Sequence, residues 1–476
     1  MYILHTEEAF SMPDHVCTSC GHVYTDEQEE QSFEELDDSW HCPVCFTEKR
    51  GFTVKTEQVS EPPGTNEEKS KSNSWERASD EIEIYMKDIH EIAETGSSVI
   101  EAMRTRRSVI SWGDILIKGA QLATIPLNED IAVNTKTVIG PKAKKPLVIE
   151  TPIIVTHMSF GALSREAKIA LAQGSAAVQT AMSSGEGGIL QKSMESSYRY
   201  IFEYVPNKYS FTPENLKRVD AVEIKFGQGT KPGMGGHLPG EKVTGEIAET
   251  RGFPEGSDII SPAHFEEIEN RDQLKSIVAE LRNISEGRPI GIKIAAGHIE
   301  SDLDMALCGE PDFITIDGRS GATGASSKFV KDATSVPTLF ALYRARKFFA
   351  KHKVSGVSLI ITGGLRISAD MAKALAIGAD AMAIGTAALM AIGCQQYRIC
   401  NTGNCPTGIT TQDPELRARL DVAKAAKGLE NFLRVSTEEL RNFARLTGKN
   451  DVHDLGMDDL CTTNSEISDH TDIEHV

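Results

Sequence analysis

VSLIITGGLRISADMAKALAIGADAMAIGT, residues 357–386, carries the pattern on which the fold turns. An aliphatic run ends at Gly363 and Gly364, the helical stretch ADMAKALAIG follows, and a second apolar run ends at Gly385 and Thr386. Strand, glycine turn, helix and strand make the unit of a parallel sheet, because parallel neighbours need a crossover and that crossover covers a face of the sheet. Working outward, comparable runs occur in PIIVTHMSF (152–160), AAVQTAM (176–182), AVEIKFGQG (221–229), IGIKIAAG (290–297) and DFITIDG (312–318). With one more strand expected near NKYSF (207–211), the count predicts an α/β chain built on a (β/α)8 barrel over residues 151–412.

In such a barrel the loops after residues 362 and 384 are neighbours at the C-terminal rim. Glycines there let backbone N–H groups approach a phosphate, and the helix N-termini that follow add favourable partial charge. IDGRSGATGAS (316–326) supplies a third glycine-rich rim loop, which taken alone reads equally well as a plain turn. Lys225 and Lys293 interrupt apolar strands. A buried ammonium needs an anion, either a bound one such as a flavin or a carboxylate such as Glu223. Directly after the last glycine turn, GCQQYRICNTGNCPTGI (393–409) places Cys394, Cys400 and Cys405 in a C-x5-C-x4-C loop, a donor set suited to an iron–sulfur cluster.

The flanks differ in composition. Residues 1–53 hold two C-x-x-C knuckles, Cys17 with Cys20 and Cys42 with Cys45, which together imply one tetrahedral metal site. Residues 54–75 are rich in charge, Ser, Pro and Gly and read as a flexible linker. Residues 76–150 form a mixed extension that opens with the amphipathic pattern EIEIYMKDIHEIA. Residues 413–476 read as helices, PELRARLDVAKAAKGLENFL and then STEELRNFARL, ending in a frayed acidic tail. Seven of nine cysteines fall in ligand-like clusters, which fits a reducing cytoplasm, while Cys308 reads as a core thiol and Cys461 as an exposed one. A net charge of −19 excludes a nucleic-acid footprint, and no apolar run has the roughly 20 residues of a membrane span.

SFGALS (159–164), SSGEGG (183–188), KFGQGTKPGMGGHLPGEKV (225–243), GRSGATGAS, ITGGLR and the cysteine loop occur in the order found in the FMN domain of glutamate synthase, which the chain resembles over about residues 100–435. The resemblance implies FMN near Met158, Ser159, Ser184, Lys225, Lys293, Thr323, Gly324, Gly363, Gly364, Gly385 and Thr386, and a [3Fe-4S] cluster on Cys394, Cys400 and Cys405. It implies reductive amination of 2-oxoglutarate through 2-iminoglutarate to L-glutamate, with Lys231 and Glu186 in the substrate site. Arg251 is either a partner for the distal carboxylate or an exposed helix arginine. Met234 and His237 stand where large members carry glutamate and glutamine, a pattern resembling short stand-alone members that include a subunit of N-methylglutamate synthase. His237 is therefore either a ligand-facing group or a satisfied loop histidine.

The same resemblance implies what lies elsewhere. The sequence shows no amidotransferase domain, so ammonia or an amine is expected from solution or from a separate glutaminase-type subunit, and an oligomer with an electron-donor subunit is expected. No G-x-G-x-x-G opens a helix after a strand, so NAD(P)H oxidation is not expected on this chain. The N-terminal knuckles, with Tyr24, Phe33, Trp40, Lys49 and Phe52, resemble rubredoxin and would hold one iron, although Phe46 in place of the usual glycine keeps a structural zinc open. Two other functions stay in view: an amine transferase resembling N-methylglutamate synthase, and an electron-transfer subunit without chemistry of its own.

Overall fold

Eight short parallel strands close into a barrel: β1 (Ile153–Val155), β2 (Ala181–Ser183), β3 (Arg199–Tyr204), β4 (Ala221–Lys225), β5 (Ile290–Ala295), β6 (Phe313–Asp317), β7 (Ser358–Thr362) and β8 (Ala381–Ile384), with β8 bonded to β1. This is the (β/α)8 architecture that the sequence predicts. The computed structural model describes residues 14–17, 23–25, 31–37, 39–43, 47–54, 77 and 79–476. They fall into two units, Met1–Ala93 and Glu94–Val476.

One strand lies elsewhere than expected. The missing member is β3, RYIFEY, and not residues 207–211, where Lys208 and Ser210 take positive φ and form a turn. Arg199 and Glu203 break the apolar pattern of β3 in the sequence, but Glu203 points inward and is paired, so the strand is stable where its composition argues against it.

Period-two alternation sorts every strand into an outer face under helices and an inner face within the barrel. Ile154, Ile201, Ala221, Phe313, Ile360 and Ala381 form an inner cluster at the N-terminal end, closed by an antiparallel hairpin of Thr137–Ile139 with Leu147–Ile149. Gly291 is required there, because any Cβ would enter the Phe313 ring. Outside, the helix Arg165–Ala177, capped by Ser164 through the Ala167 N–H at 3.2 Å, packs against the 25-residue helix Val422–Leu446. Gly174 allows that approach, since an added Cβ would lie 2.7 Å from Leu429 Cβ. The two helical patterns read in the sequence over 414–446 become the short helix Pro414–Arg417 and one continuous helix.

The tail corrects the sequence reading. Leu460–Thr462 pairs with Ile115–Ile117, Glu474–His475 pairs with Leu460–Thr462, and Ile467 and Ile473 are buried, so the segment is folded and not frayed. Cys461 is accordingly buried and not exposed. Cys308 is half-buried at a helix end, with Arg271 Nη1 2.7 Å from its sulfur, and is not a core thiol.

In the first unit, Val23–Tyr24 and Phe52–Val54 flank His15–Cys17 in an antiparallel sheet. Cys17 and Cys42 are buried with Tyr24, Phe33 and Phe52, whose rings pack edge-on or tilted with Trp40 at 5.0–5.8 Å. Lys49 Nζ donates to Leu36 O at 2.6 Å and closes the turn. Cys20, Cys45, Phe46 and the linker from residue 55 lie outside the described residues. The helix expected from EIEIYMKDIHEIA forms as Met86–Thr95. Among the described residues no helix is long and apolar enough to cross a membrane.

Candidate active site at the barrel rim

Two residues along each strand from the apolar cluster, the barrel interior becomes ionic. Glu203 on β3 meets Lys293 Nζ on β5 at 3.0 Å, and Glu223 on β4 accepts a hydrogen bond from Thr315 Oγ1 on β6. His157, after β1, faces Glu223 in contact but without hydrogen-bond alignment, and its Nδ1 is 3.1 Å from Thr156 Oγ1. Burial alone would raise the Glu203 carboxyl, yet the ammoniums of Lys293 and Lys225 bring it down to about 2. The inward lysines therefore do have carboxylate partners, Glu203 and Glu186, and Glu223 is not the one that either lysine contacts. Ligand atoms of His157, Glu203 and Glu223 lie within 4.8 Å of one another. Within this group Lys293 pairs with Glu203, while Glu223 meets His157 and the Thr315 hydroxyl.

Above this layer Glu186 is the hub. Lys225 Nζ contacts its Oε2, and Ser261 Oγ donates to its Oε1 at 2.7 Å. Asn207 Nδ2 and Tyr209 OH each lie 3.2 Å from Ser261 Oγ and fix that hydroxyl. Burial would raise Glu186, but Lys225 and Ser261 more than offset it and hold the carboxyl below its usual range. Burial likewise draws Lys225 down, while Glu186 and Glu203 hold it up at about 12. Lys231 Nζ donates to Gly235 O at 3.3 Å, and burial followed by repulsion from Lys225 lowers it. Gly236 lies against Glu186 so closely that a Cβ would strike the carboxylate, which brings the 225–243 loop onto the 183–188 loop. A pocket opens beside this pair, lined by Glu186, Lys225, Phe226, Met234, His264 and Phe265.

Several candidates have other employment. Arg251 is buried, donates from Nη2 to Phe160 O at 2.8 Å and stacks 5.1 Å from the Tyr209 ring. It braces the glutamate loop from behind and is not the exposed helix arginine that one reading allowed. His237 is exposed with Nε2 3.1 Å from Asp258 Oδ2, and its described partners do not include Glu186 or Lys231. Ser184 Oγ is buried between Glu203 N and Gly185 O. Met158 and Ser159 press their backbone against Gly185, where a Cβ would sit 2.5 Å from Ser159 N.

The glycine turns gather on the same rim. Gly363 (φ 111°) packs on Gly318, Gly364 lies against Ser320, and Gly385 against Thr156. A Cβ on Gly324 would meet nothing within 4 Å, so packing leaves that position open, and the neighbouring Thr323 O accepts from Met103 N at 2.8 Å. Thr386 is buried at the start of the helix Thr386–Ala391.

Beyond that helix, the three cysteines share one half-buried loop. Cys394 and Cys400 are both raised by burial, whereas at Cys405 burial is outweighed by Thr407, whose Oγ1 lies 3.2 Å from the sulfur, and by the neighbouring Thr410, and the thiol is lowered. Thr410 Oγ1 is buried without a well-aligned partner. Lys242 Nζ donates to Asn401 O at 2.9 Å and to Cys400 O at 3.3 Å, tying the cysteine loop to the 225–243 loop.

The sequence reading passed over Lys168, Glu203, His157, Ser261 and Arg366. Lys168 is the most legible of them, a lysine in the otherwise small and apolar face of AKIALA. Its ammonium gives its three protons to Met158 O (2.9 Å), Ser183 O (3.0 Å) and Ser184 O (2.9 Å), and burial pulls its pKa down to about 7. Arg366 stands two residues after Gly364; burial and then Arg104 draw it down to about 10. Ser261 gave no signal, being a serine in a loop.

A family model described as "Conserved region in glutamate synthase" matches residues 114–450. The glutamate synthase large subunit-like protein of Rhizobium meliloti (strain 1021) is 37% identical over 403 residues, covering 80% of this chain and 91% of that one. The archaeal-type glutamate synthase [NADPH] of Thermotoga maritima is 35% identical over 394 residues, 76% of each chain. The archaeal glutamate synthase [NADPH] of Methanocaldococcus jannaschii is 39% identical over 323 residues, 67% of this chain and 62% of that one. Among solved structures, an active mutant of (S)-mandelate dehydrogenase aligns with a TM-score of 0.49 and 13% identity, over 74% of this chain and 88% of that one.

Proposed function

This chain belongs to the glutamate synthase family, and we propose that it is the oxidoreductase that converts 2-oxoglutarate and ammonia to L-glutamate, with FMN at the barrel rim and a [3Fe-4S] cluster on Cys394, Cys400 and Cys405. The observation that carries the reading is Glu186, an ionised carboxylate held between Lys225 and Ser261 at the wall of a pocket, with Lys231 beside it.

The residues present fit both groups. For the flavin there is the ring of glycine turns with Arg366 half-buried next to them, an inward Asp317 whose Oδ1 has no well-aligned partner, and the cations Lys225 and Lys293. Met158, Ser159, Ser184, Thr323, Gly324, Gly363, Gly364, Gly385 and Thr386 would surround it. For the cluster there are three thiols on one loop, no fourth cysteine beside them among the described residues, and hydroxyls at Thr407 and Thr410 turned to the sulfurs. When bound, FMN supplies a hydride to an imine carbon, and the cluster passes single electrons toward it.

The protein's own groups do the rest. Lys231 fixes a carboxylate or the keto oxygen of the 2-oxo acid, a charge-assisted contact strengthened by burial. Ammonia adds to the carbonyl carbon, Glu186 accepts a proton that the nitrogen sheds and returns it to the departing hydroxyl, and water leaves to give 2-iminoglutarate. Lys225 and Ser261 keep Glu186 ionised and aimed. Phe226, Phe265 and Met234 narrow the pocket against bulk water, and Arg251 and Lys168 hold the loops in register. Cys17, Cys20, Cys42 and Cys45 would hold one iron, which would take electrons singly from a donor protein. A separate glutaminase-type subunit supplies ammonia in an oligomeric assembly.

Anaerobic protein supplied with 2-oxoglutarate, 15N-ammonium and a reduced one-electron donor should release 15N-glutamate at a rate that depends on the reductant. No labelled glutamate, with candidate partner subunits present, would overturn the proposal. Labelled N-methylglutamate formed from glutamate and methylamine without reductant would replace it with an amine transferase.

A further inference from the structure

Met103 is buried, 4% exposed, and its backbone lies in the left-handed region at φ 69°. That conformation costs a residue with a Cβ and is free for glycine. A buried methionine kept there is kept for its side chain, since the backbone alone would favour another residue. Its Sδ lies 3.8 Å from Cys400 Sγ.

The strap that carries it is anchored on both sides. Ile100–Glu101 pairs antiparallel with Ser326–Ser327, and Met103 N donates to Thr323 O at 2.8 Å, joining the strap to the glycine-rich rim loop. Thr105 Oγ1 and Lys331 Nζ close it further through Asp332 and Glu101, each at 2.5 Å. From the other side Arg398, inside the cysteine loop, donates to Arg104 O at 3.2 Å. Gln396 and Arg398 also take positive φ, 61° and 58°, so strained non-glycine residues gather where strap and cysteine loop meet.

We propose that Met103 is a positioning residue of the iron–sulfur centre: its thioether seals the Cys400 ligand from water and so holds the centre's reduction potential low. This rests on the cluster reading above. Adding one electron to a centre held by three thiolates adds negative charge, which water stabilises and an apolar cover does not. Removing the cover favours the reduced form, and the potential rises. The backbone bond from Met103 N to Thr323 O ties the residue that carries this thioether to the glycine-rich rim loop.

The test uses the full-length holoprotein and two variants, followed by redox titration with electron paramagnetic resonance and by the rate of iron loss to a chelator. Met103→Gly relieves the positive φ and keeps the fold while opening the seal. Its potential is expected to rise by an amount on the order of a tenfold change in the reduction equilibrium, about 59 mV for one electron, with faster iron loss. Met103→Leu keeps apolar volume and is expected to match the parent in both readouts. Parent-like behaviour of Met103→Gly would overturn the inference, as would a Met103→Leu shift as large as that of the glycine variant. A parent protein with no three-iron signal would overturn the cluster reading itself, an outcome visible before either variant is made.

Discussion

At one end of the barrel Ile201, Ala221 and Phe313 fill the interior above an apolar hairpin, while two residues further along the same strands stand Glu203, Glu223 and Thr315, joined by Lys293 from β5. The strands, their hydrogen bonds and their alternation are common to both ends; the side chains alone differ. Apolar packing at the floor stabilises the closed sheet at little desolvation cost. The ionic layer gives up hydration for each buried charge and is tolerable only because every member has a partner of opposite sign or a hydroxyl. An arrangement that contributes so little net stability is retained for what it presents to the rim, an ionised Glu186 fixed by Lys225 beside a pocket.

Glu186→Gln should break the rim without touching the floor. Loss of the proton acceptor is expected to lower kcat/KM for glutamate formation by about 10²–10⁴-fold, with a modest fall in the thermal unfolding midpoint because Lys225 loses its carboxylate partner; a folded variant with parental turnover would remove Glu186 from the chemistry. Phe313→Ala does the reverse. The cavity at the floor should cost about 3–5 kcal/mol in denaturant unfolding, with flavin content and KM preserved, and selective loss of turnover would erase the distinction between the ends.

Lys293→Met sharpens the comparison from inside the ionic layer. It strands Glu203 in the barrel and is expected to cost about 3 kcal/mol, much of which the double change with Glu203→Leu recovers; additive losses would show that the pair is not the unit. Acid gives the smallest effect. Glu186 and Glu203 both titrate below the carboxylate value of 4.5 in the folded protein. Their contribution is therefore complete above about pH 4.5 and is lost as pH falls toward the folded values, the unfolded chain binding the protons first. A decline of about 2 kcal/mol between pH 5 and pH 2.5 is expected, flattened in Glu203→Gln; an unchanged slope in that variant would place the acid sensitivity elsewhere.

The barrel was legible because seven of its strands are apolar runs that end in glycine or precede a helix, and the eighth was misplaced because its inward position is a glutamate. The rim lysines were legible as costly interruptions of apolar strands. Their partners were not, since Glu186 and Glu203 come from loops and strands 39 and 90 residues away in the chain. The same separation hid Ser261, 75 residues from the carboxylate it orients. Lys168 was readable in principle, as a lone cation on a helix face otherwise fit for burial. The folded tail went unread because its two anchors, Ile467 and Ile473, stand among acidic and polar residues that look solvated until Ile115–Ile117 is brought beside them.

Cofactor content of anaerobically purified full-length protein tests the central claim most directly. One FMN and about four irons per chain, three in a three-iron cluster and one mononuclear, are the expected result, with the three-iron signal lost in Cys400→Ser. Folded protein that retains no flavin when supplied with FMN, or that carries no iron beyond a mononuclear site, would contradict it.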